Sequence, residues 1–402
     1  MLENRYDILK KTKESAASAA SVVDALTDSF IGELFSERDK NLLSLAFKPS
    51  ISQADLDVFL TKWDIEAEGG NKALVLAYLM RMHPELKFSD KVAPRLRGLL
   101  DYFKFKNIKL ISHFFKICSQ LKKKKIDALV IKGGAMRHLR PEYPRIMGDI
   151  DVVVREKDYN KAVKTAEDMG YNCFRSLHSV DLHLKGSNEG ILDIHQFINM
   201  NTGKERNINK NLFQRARQEK VFGVEAYVPC MEDMLFIALV NMSRNITEKT
   251  SIAGLLYTLF DIQFFLHSKP DFKWEIVIEN AHLTKTELQI AFITKLINKL
   301  LPGFLPEKIE GVDSFEKQLN DYCILLMYKR FFLWGMKQRG HQLRFWTMFN
   351  SWDRFVEYVK LKPKYLVLKS LRFSPKIAQF IMNLDERHHI VERKYYADQF
   401  YK

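Results

Sequence analysis

Asp149 and Asp151 in "GDIDVVV" lie one residue apart, at the head of a β-branched apolar run. In extended chain, residues i and i+2 point the same way, so both carboxylates face one site while Ile150 and Val152 face the opposite layer. Two carboxylates that close repel each other, and one takes up a proton unless a cation lies between them. Mg²⁺ (or Mn²⁺) resolves the conflict, since hard ions take carboxylates together with phosphates and water. Upstream, Gly133 and Gly134 end the apolar run "DALVIKGG", where a strand should give way to a helix starting near Ala135. Glycine there lets a phosphate approach the N–H groups of a helix N-terminus, and Lys132 adds a point charge. A tight strand-to-helix turn would use the same two glycines for packing alone.

A third carboxylate is available downstream. Asp193 in "GILDIHQFI" and Asp181 in "SVDLHLKG" both fall in strand-like runs, and the sequence leaves the choice between them open. Three carboxylates holding two ions can polarise an α-phosphate and activate a hydroxyl for in-line displacement of pyrophosphate. His195 shares the face of Asp193 and suits either phosphate contact or a structural role, and His178 and His183 flank Asp181. Arg145 and Arg140 are candidates for the triphosphate. Arg137 and His138 read as plain surface. Asp261, an acid inside the apolar run "YTLFDIQFFL", needs a partner, for which a salt bridge to a nearby helix is the expectation. Asn241 and Arg244 could line the cleft.

The elements that must position these groups follow from periodicity. Residues 1–115 read as a helical N-terminal region, with apolar positions recurring at three and four in "LLDYFKFKNIKLISHFFKICSQL". The run Lys122–Lys125 ends its last helix, where cations suit the negative end of the dipole. Residues 116–230 change period to strand, helix, strand, helix and then three strand-like runs that should pair as a meander. The helix "EKDYNKAVKTAEDMGY" closes at Gly170. Residues 231–315 return to helices, and 316–402 form a basic, aromatic-rich region. The fold class expected is α/β (α+β), a mixed sheet flanked by N-terminal and C-terminal helical regions.

The order "VIKGGA", then "R…GDIDVVV", then "LDIH" resembles the nucleotidyltransferase superfamily of the DNA polymerase β type. Within it, the chain is similar to an uncharacterised bacterial family of about this length. The resemblance covers roughly residues 90 to 310 and includes the helices "VPCMEDMLFIALVNMSRN" and "LLYTLFDIQFFL". It implies NMP transfer from an NTP such as ATP, with Asp149, Asp151 and Asp193 as catalytic metal ligands. Lys132, Gly133, Gly134, Arg145 and His195 would then serve the nucleotide. Gly134 stands where a serine often touches phosphate, and Gln196 stands where an aromatic is usual. The acceptor is left open among a sugar, a surface-polymer precursor, a peptide or a protein. A toxin-like enzyme acting on tRNA or protein and a non-catalytic nucleotide-binding scaffold are the alternatives. Loss of a carboxylate would be expected in the scaffold, and none is lost.

Composition excludes other classes. The 402 residues are 47% hydrophobic, which argues against disorder. No run approaches the roughly 20 apolar residues of a membrane-spanning helix, and the first residues lack the apolar core of a signal peptide, so a cytoplasmic location is expected. Four scattered cysteines indicate neither zinc nor disulfides. Net charge is +14, and residues 321–402 hold 16 Lys and Arg against 7 Asp and Glu, interleaved with aromatics. That segment suits a polyanion or an anionic membrane surface, where it would make the protein peripheral.

Overall fold

The computed structural model describes residues 19–319, apart from 64–69, 142–144, 146, 177, 187–189, 199–203, 249–252, 270, 307–308, 310, 313–318. Segment 321–402, with its expected polyanion or membrane role, lies outside the described residues. Five helices come first: α1 Ala19–Leu34, α2 Glu37–Ala46, α3 Gln53–Thr61, α4 Gly70–Met82 and α5 Ala93–Lys123. Capping boxes start α2 and α3, with Ser36 and Ser52 accepting from the third-residue N–H while Asp39 and Asp55 return the bond. Pro94 enters α5 in the first turn, where its missing N–H costs nothing, and Lys122 and Lys123 close it. The chain then reverses through Lys125 at φ 58°.

Seven strands follow: β1 Ala128–Val130, β2 Ile150–Val154, β3 Asn172–Arg175, β4 Ser179–His183, β5 Gly190–His195, β6 Arg217–Val221 and β7 Val224–Val228. They form one mixed sheet in the order β3-β4-β5-β2-β1-β7-β6. The meander β3-β4-β5 is antiparallel throughout, as the sequence predicts. β5 then joins β2 in parallel, which forces the chain between them to cross over through α7 Tyr159–Asp168. Gly170 at φ 87° ends that crossover. Helix α6 (Lys132–Leu139) links β1 to β2, and α8 (Asn209–Arg215) precedes β6. The hairpin β6–β7 turns at Phe222 and Gly223, whose φ values of 47° and 93° are those of a two-residue turn with both centres left-handed.

Helix α5 packs across β5, β2, β1 and β7 through Leu110, Phe114, Ile117 and Leu121, all buried. It runs unbroken from residue 93 to 123, linking the helical leader to the sheet. Four more helices, α9 Met231–Glu248, α10 Ala253–His267, α11 Trp274–Thr284 and α12 Glu287–Leu300, complete the described fold. They pack back on the leader: α12 meets α1, where Phe30 and Phe292 stack edge to face, and α10 meets α4. N-terminal and C-terminal helices therefore share one core beside the sheet. Among the described residues, Cys118, Cys173 and Cys230 form no disulfide.

Candidate active site

β2 and β5 lie side by side in parallel with Asp151 directly opposite Asp193. Residues paired across neighbouring strands point to the same face, about 5 Å apart, so two carboxylates from distant sequence positions meet. The apolar neighbours hold that register: Ile150, Val152, Leu192 and Ile194 are all buried on the other face. Asp181 on β4 pairs with Asp193 on its far side, extending the acidic row one strand outward. The cavity of about 380 Å³ beside the row is lined by Asp149, Asp151 and Asp193 but not by Asp181. That size suits a small-molecule ligand. Asp149 sits in the bend before β2 rather than in the strand.

His195 ties the pair together. Its Nε2 lies 2.9 Å from Asp151 Oδ1 and 3.0 Å from Asp193 Oδ2. Burial opposes a charge on this ring, but hydrogen bonds to both carboxylates outweigh it and raise the imidazole to about 9. Burial likewise works to raise Asp151, yet the Lys132 ammonium and His195 hold its carboxyl below the ordinary range. Asp193 is also lowered, its burial overcome by the bond to His195. Asp149 moves the other way: burial and the Asp151 charge push it up to about 6. Burial and the Asp193 charge take Asp181 to about 7.

Lys132 reaches Asp151 Oδ1 at 2.5 Å from a backbone held at φ 52°. A side chain in the left-handed region costs about 1 kcal/mol, and here it aims the ammonium into the cavity. Helix α6 begins at Lys132, three residues before the expected start, so the two glycines lie in its first turn. They have different surroundings. A Cβ on Gly133 would face Met147 and Arg145 at the cavity wall, at 3.3 and 3.8 Å. A Cβ on Gly134 would stand 2.8 Å from Ile150 Cγ2 and 2.9 Å from Val130 Cγ1. Gly134 is therefore a packing position, where a phosphate-binding serine has no room.

Arg145 lines the cavity and is anchored from behind. Its Nη2 lies 3.1 Å from Asp261 on α10, and its guanidinium lies over the Tyr257 ring at 5.4 Å. The partner of Asp261 is thus this loop arginine rather than a group on a helix, and burial raises the acid to about 6. Asn107 on α5 donates 2.6 Å to the Arg145 carbonyl. The sequence reading missed Asn107, although a signal exists: it interrupts the apolar positions Phe103, Leu110, Phe114 and Ile117 of an amphipathic helix. Asn245 and Thr258, also missed, line the cavity beside Asn241 and Arg244 of α9.

The remaining candidates disperse. His178 lines the cavity and stacks on the His195 ring at 5.6 Å, and burial lowers it to about 3, keeping it neutral. His183 packs on Phe174, and Arg140 lies over Phe264, outside the lining. Expected as plain surface, His138 instead pairs with Glu219 on β6 at 2.8 Å, and Arg137 donates to the Pro141 carbonyl.

The donor set fits a divalent cation. Asp151, Asp193 and His195 each offer one ligand atom, all within 4.8 Å of one another, and Asp193 Oδ1 is buried with no hydrogen-bond partner. These residues also give an order to the sequence motifs: the KGG turn, the paired aspartates and the later Asp-x-His converge on one cavity. Residues 68–302 match a family described as "Uncharacterised nucleotidyltransferase". The chain belongs to this family. Nucleotidyl transfer is accordingly its reaction class, and the mixed α/β architecture expected for that class is the one observed. No curated protein matches the chain. A solved structure of the antibiotic-resistance factor ANT(2'')-Ia is similar at 12% identity over 55% of this chain and 97% of that one, with a TM-score of 0.29, too low to decide anything about the fold. No helix among the described residues is long and apolar enough to cross a membrane.

One consequence is measurable without any substrate. A folded-state value near 9 lies above the roughly 6.5 of an unfolded histidine. His195 therefore contributes stability that is fully present below about pH 6.5 and is lost as pH rises through 9. In EDTA, Tm will fall from pH 7 to pH 9.5, and His195→Gln will flatten that fall. Affinity for Mn²⁺ will run the opposite way, rising over the same window, because the positive imidazolium bonded to Asp151 and Asp193 must lose its charge before a cation is favoured between them.

Proposed function

We propose that the protein moves a nucleoside monophosphate from an NTP to a hydroxyl-bearing acceptor and releases pyrophosphate, with Mg²⁺ or Mn²⁺ bound at Asp149, Asp151 and Asp193. The observation that supports this reading is the in-register meeting of Asp151 and Asp193 on parallel strands, with His195 hydrogen-bonded to both. A divalent ion there would neutralise charge on the α-phosphate and on the attacking oxygen. The chain's own groups do the rest. Lys132 and Arg145, both lining the cavity, hold the phosphates. Asp193, with its free Oδ1, accepts the acceptor's proton as the new O–P bond forms and the bond to pyrophosphate breaks. Asp261 and Tyr257 keep Arg145 in place, so its cation is presented without a large entropy loss on binding. Asn241, Arg244 and Asn245 of α9 also line the cavity and offer hydrogen bonds suited to the base or the acceptor.

The acceptor classes stay those named from the sequence: sugar, surface-polymer precursor, peptide or protein. The three aspartates at the proposed ion site, Asp149, Asp151 and Asp193, speak against a scaffold without turnover. Calorimetric titration of each NTP into the full-length chain, in Mg²⁺ and then in EDTA, tests the donor half. Metal-dependent binding that disappears in Asp193→Asn is the expected result. Failure of every NTP to bind the folded protein in Mg²⁺ would sink it.

A further inference from the structure

Among the described residues, four of the five large apolar side chains left exposed lie on α5: Tyr102 at 59%, Phe105 at 71%, Ile108 at 55% and Phe115 at 47%. Helix α5 already buries a full apolar stripe against the sheet, so these residues form a second apolar surface, in which Phe115 lies near another element, at Gly223 of the β6–β7 turn. At roughly 100° per residue, Phe105, Ile108, Ser112 and Phe115 share the outward face. Arg97, Lys104, Lys109 and Lys116 border it, all exposed, against a single acid, Asp101. An exposed apolar strip with a basic rim marks an interaction site.

We propose that this outward face of α5 docks on an anionic membrane surface, with Phe105, Ile108 and Phe115 entering the headgroup boundary and the bordering lysines meeting lipid phosphates. Charge complementarity selects this occupant. A second copy of the chain would bring the same four cations against their like. The chain's own segment 321–402, at 16 basic against 7 acidic residues, would be repelled in the same way. A nucleic acid would be met by arginine forks beside stacking rings, whereas three of the four bordering cations here are lysines, whose long stems let the ammonium stay at the headgroups. With no helix among the described residues able to cross the bilayer, the attachment is peripheral and weakened by salt. The proposal stands on α5 alone and does not depend on the nucleotidyl-transfer reading.

Flotation of the full-length chain with vesicles of equal phosphatidylglycerol and phosphatidylcholine, and with phosphatidylcholine alone, tests it. The protein will float with the anionic vesicles only. Phe105→Ser with Ile108→Ser will weaken that binding by about tenfold or more, as the loss of two inserted side chains requires, with unchanged circular dichroism. A photo-crosslinking benzoylphenylalanine at position 105, in the otherwise native chain, will capture lipid. Absence of flotation, or equal flotation of the double variant, would overturn the proposal, the latter by placing the docking elsewhere in the chain. A crosslink from position 105 to a second copy, to the chain itself or to an added RNA oligomer in place of lipid would overturn it as well.

Discussion

Asp151→Asn will reduce nucleotidyl transfer by at least about 10³-fold, because several kcal/mol of transition-state charge stabilisation pass through this carboxylate. The same substitution strips Lys132 and His195 of their shared partner at a buried position. Breaking a buried charge pair from one side costs about 3–5 kcal/mol, so the metal-free variant will also unfold at lower urea concentration. The imidazole loses one of its two hydrogen bonds to carboxylates, so the fall in Tm toward pH 9.5 will be smaller and will be complete at lower pH. Divalent-ion titration, urea unfolding and α-phosphate label transfer read the three effects separately. Asp181→Asn is the control: it removes a neighbouring negative charge outside the cavity and will leave transfer within a few-fold of wild type. Equal losses in the two variants would move the third carboxylate from Asp193 to Asp181.

Gly134→Val will destabilise the fold by about 2–3 kcal/mol, measured by urea unfolding. A Cβ at that position already stands 2.8 and 2.9 Å from two buried β-branched side chains, and these cannot swing away as the tip of a lysine could. Helix α6 must lift off the sheet, taking Lys132 with it, so NTP affinity will fall together with stability. Gly134→Ser will show the same signs at smaller size. Gly133→Ala is the informative contrast, since its Cβ would meet Met147 at 3.3 Å and otherwise face the cavity. Near-native stability with weakened nucleotide binding is the expectation there. A stable Gly134→Val protein with native NTP affinity would refute the packing account.

Much of this arrangement was legible in the residues. Alternation passing into a β-branched run announced β2, the Gly and Ser punctuation separated β3, β4 and β5, and the Lys122–Lys125 run ended α5 where a helix dipole favours it. Motif order pointed Lys132 and Asp151 at one site but left Asp193 and Asp181 open as the third carboxylate, and it is the strand pairing that sets Asp193 opposite Asp151. What escaped has physical reasons. The β6–β7 hairpin is a polar strand, Arg217–Val221, against a short mixed one, so hydrophobic patterning was weak. The Phe-Gly at its turn was the available signal. The anchoring of Arg145 by Asp261, Tyr257 and Asn107 joins three elements far apart in sequence, and no local period reports such a contact. The distinct duties of Gly133 and Gly134 depend on which side of α6 meets the sheet, which tertiary packing decides.

The parallel pairing of β2 with β5 also bears on how the chain reaches its native state. Their pairing can form only after the crossover through α7 and the meander have brought the two segments together, a closure over some forty residues that is slow compared with forming a helix or hairpin. A slip of one residue in that closure would present Leu192 or Ile194 where Asp193 belongs and drive the acid into the apolar layer. The misregistered chain would be compact but could not gather Asp151, Asp193 and His195 around an ion. Recovery of divalent-ion affinity during refolding is therefore a clock for this one pairing event, and it will lag behind the recovery of helical signal.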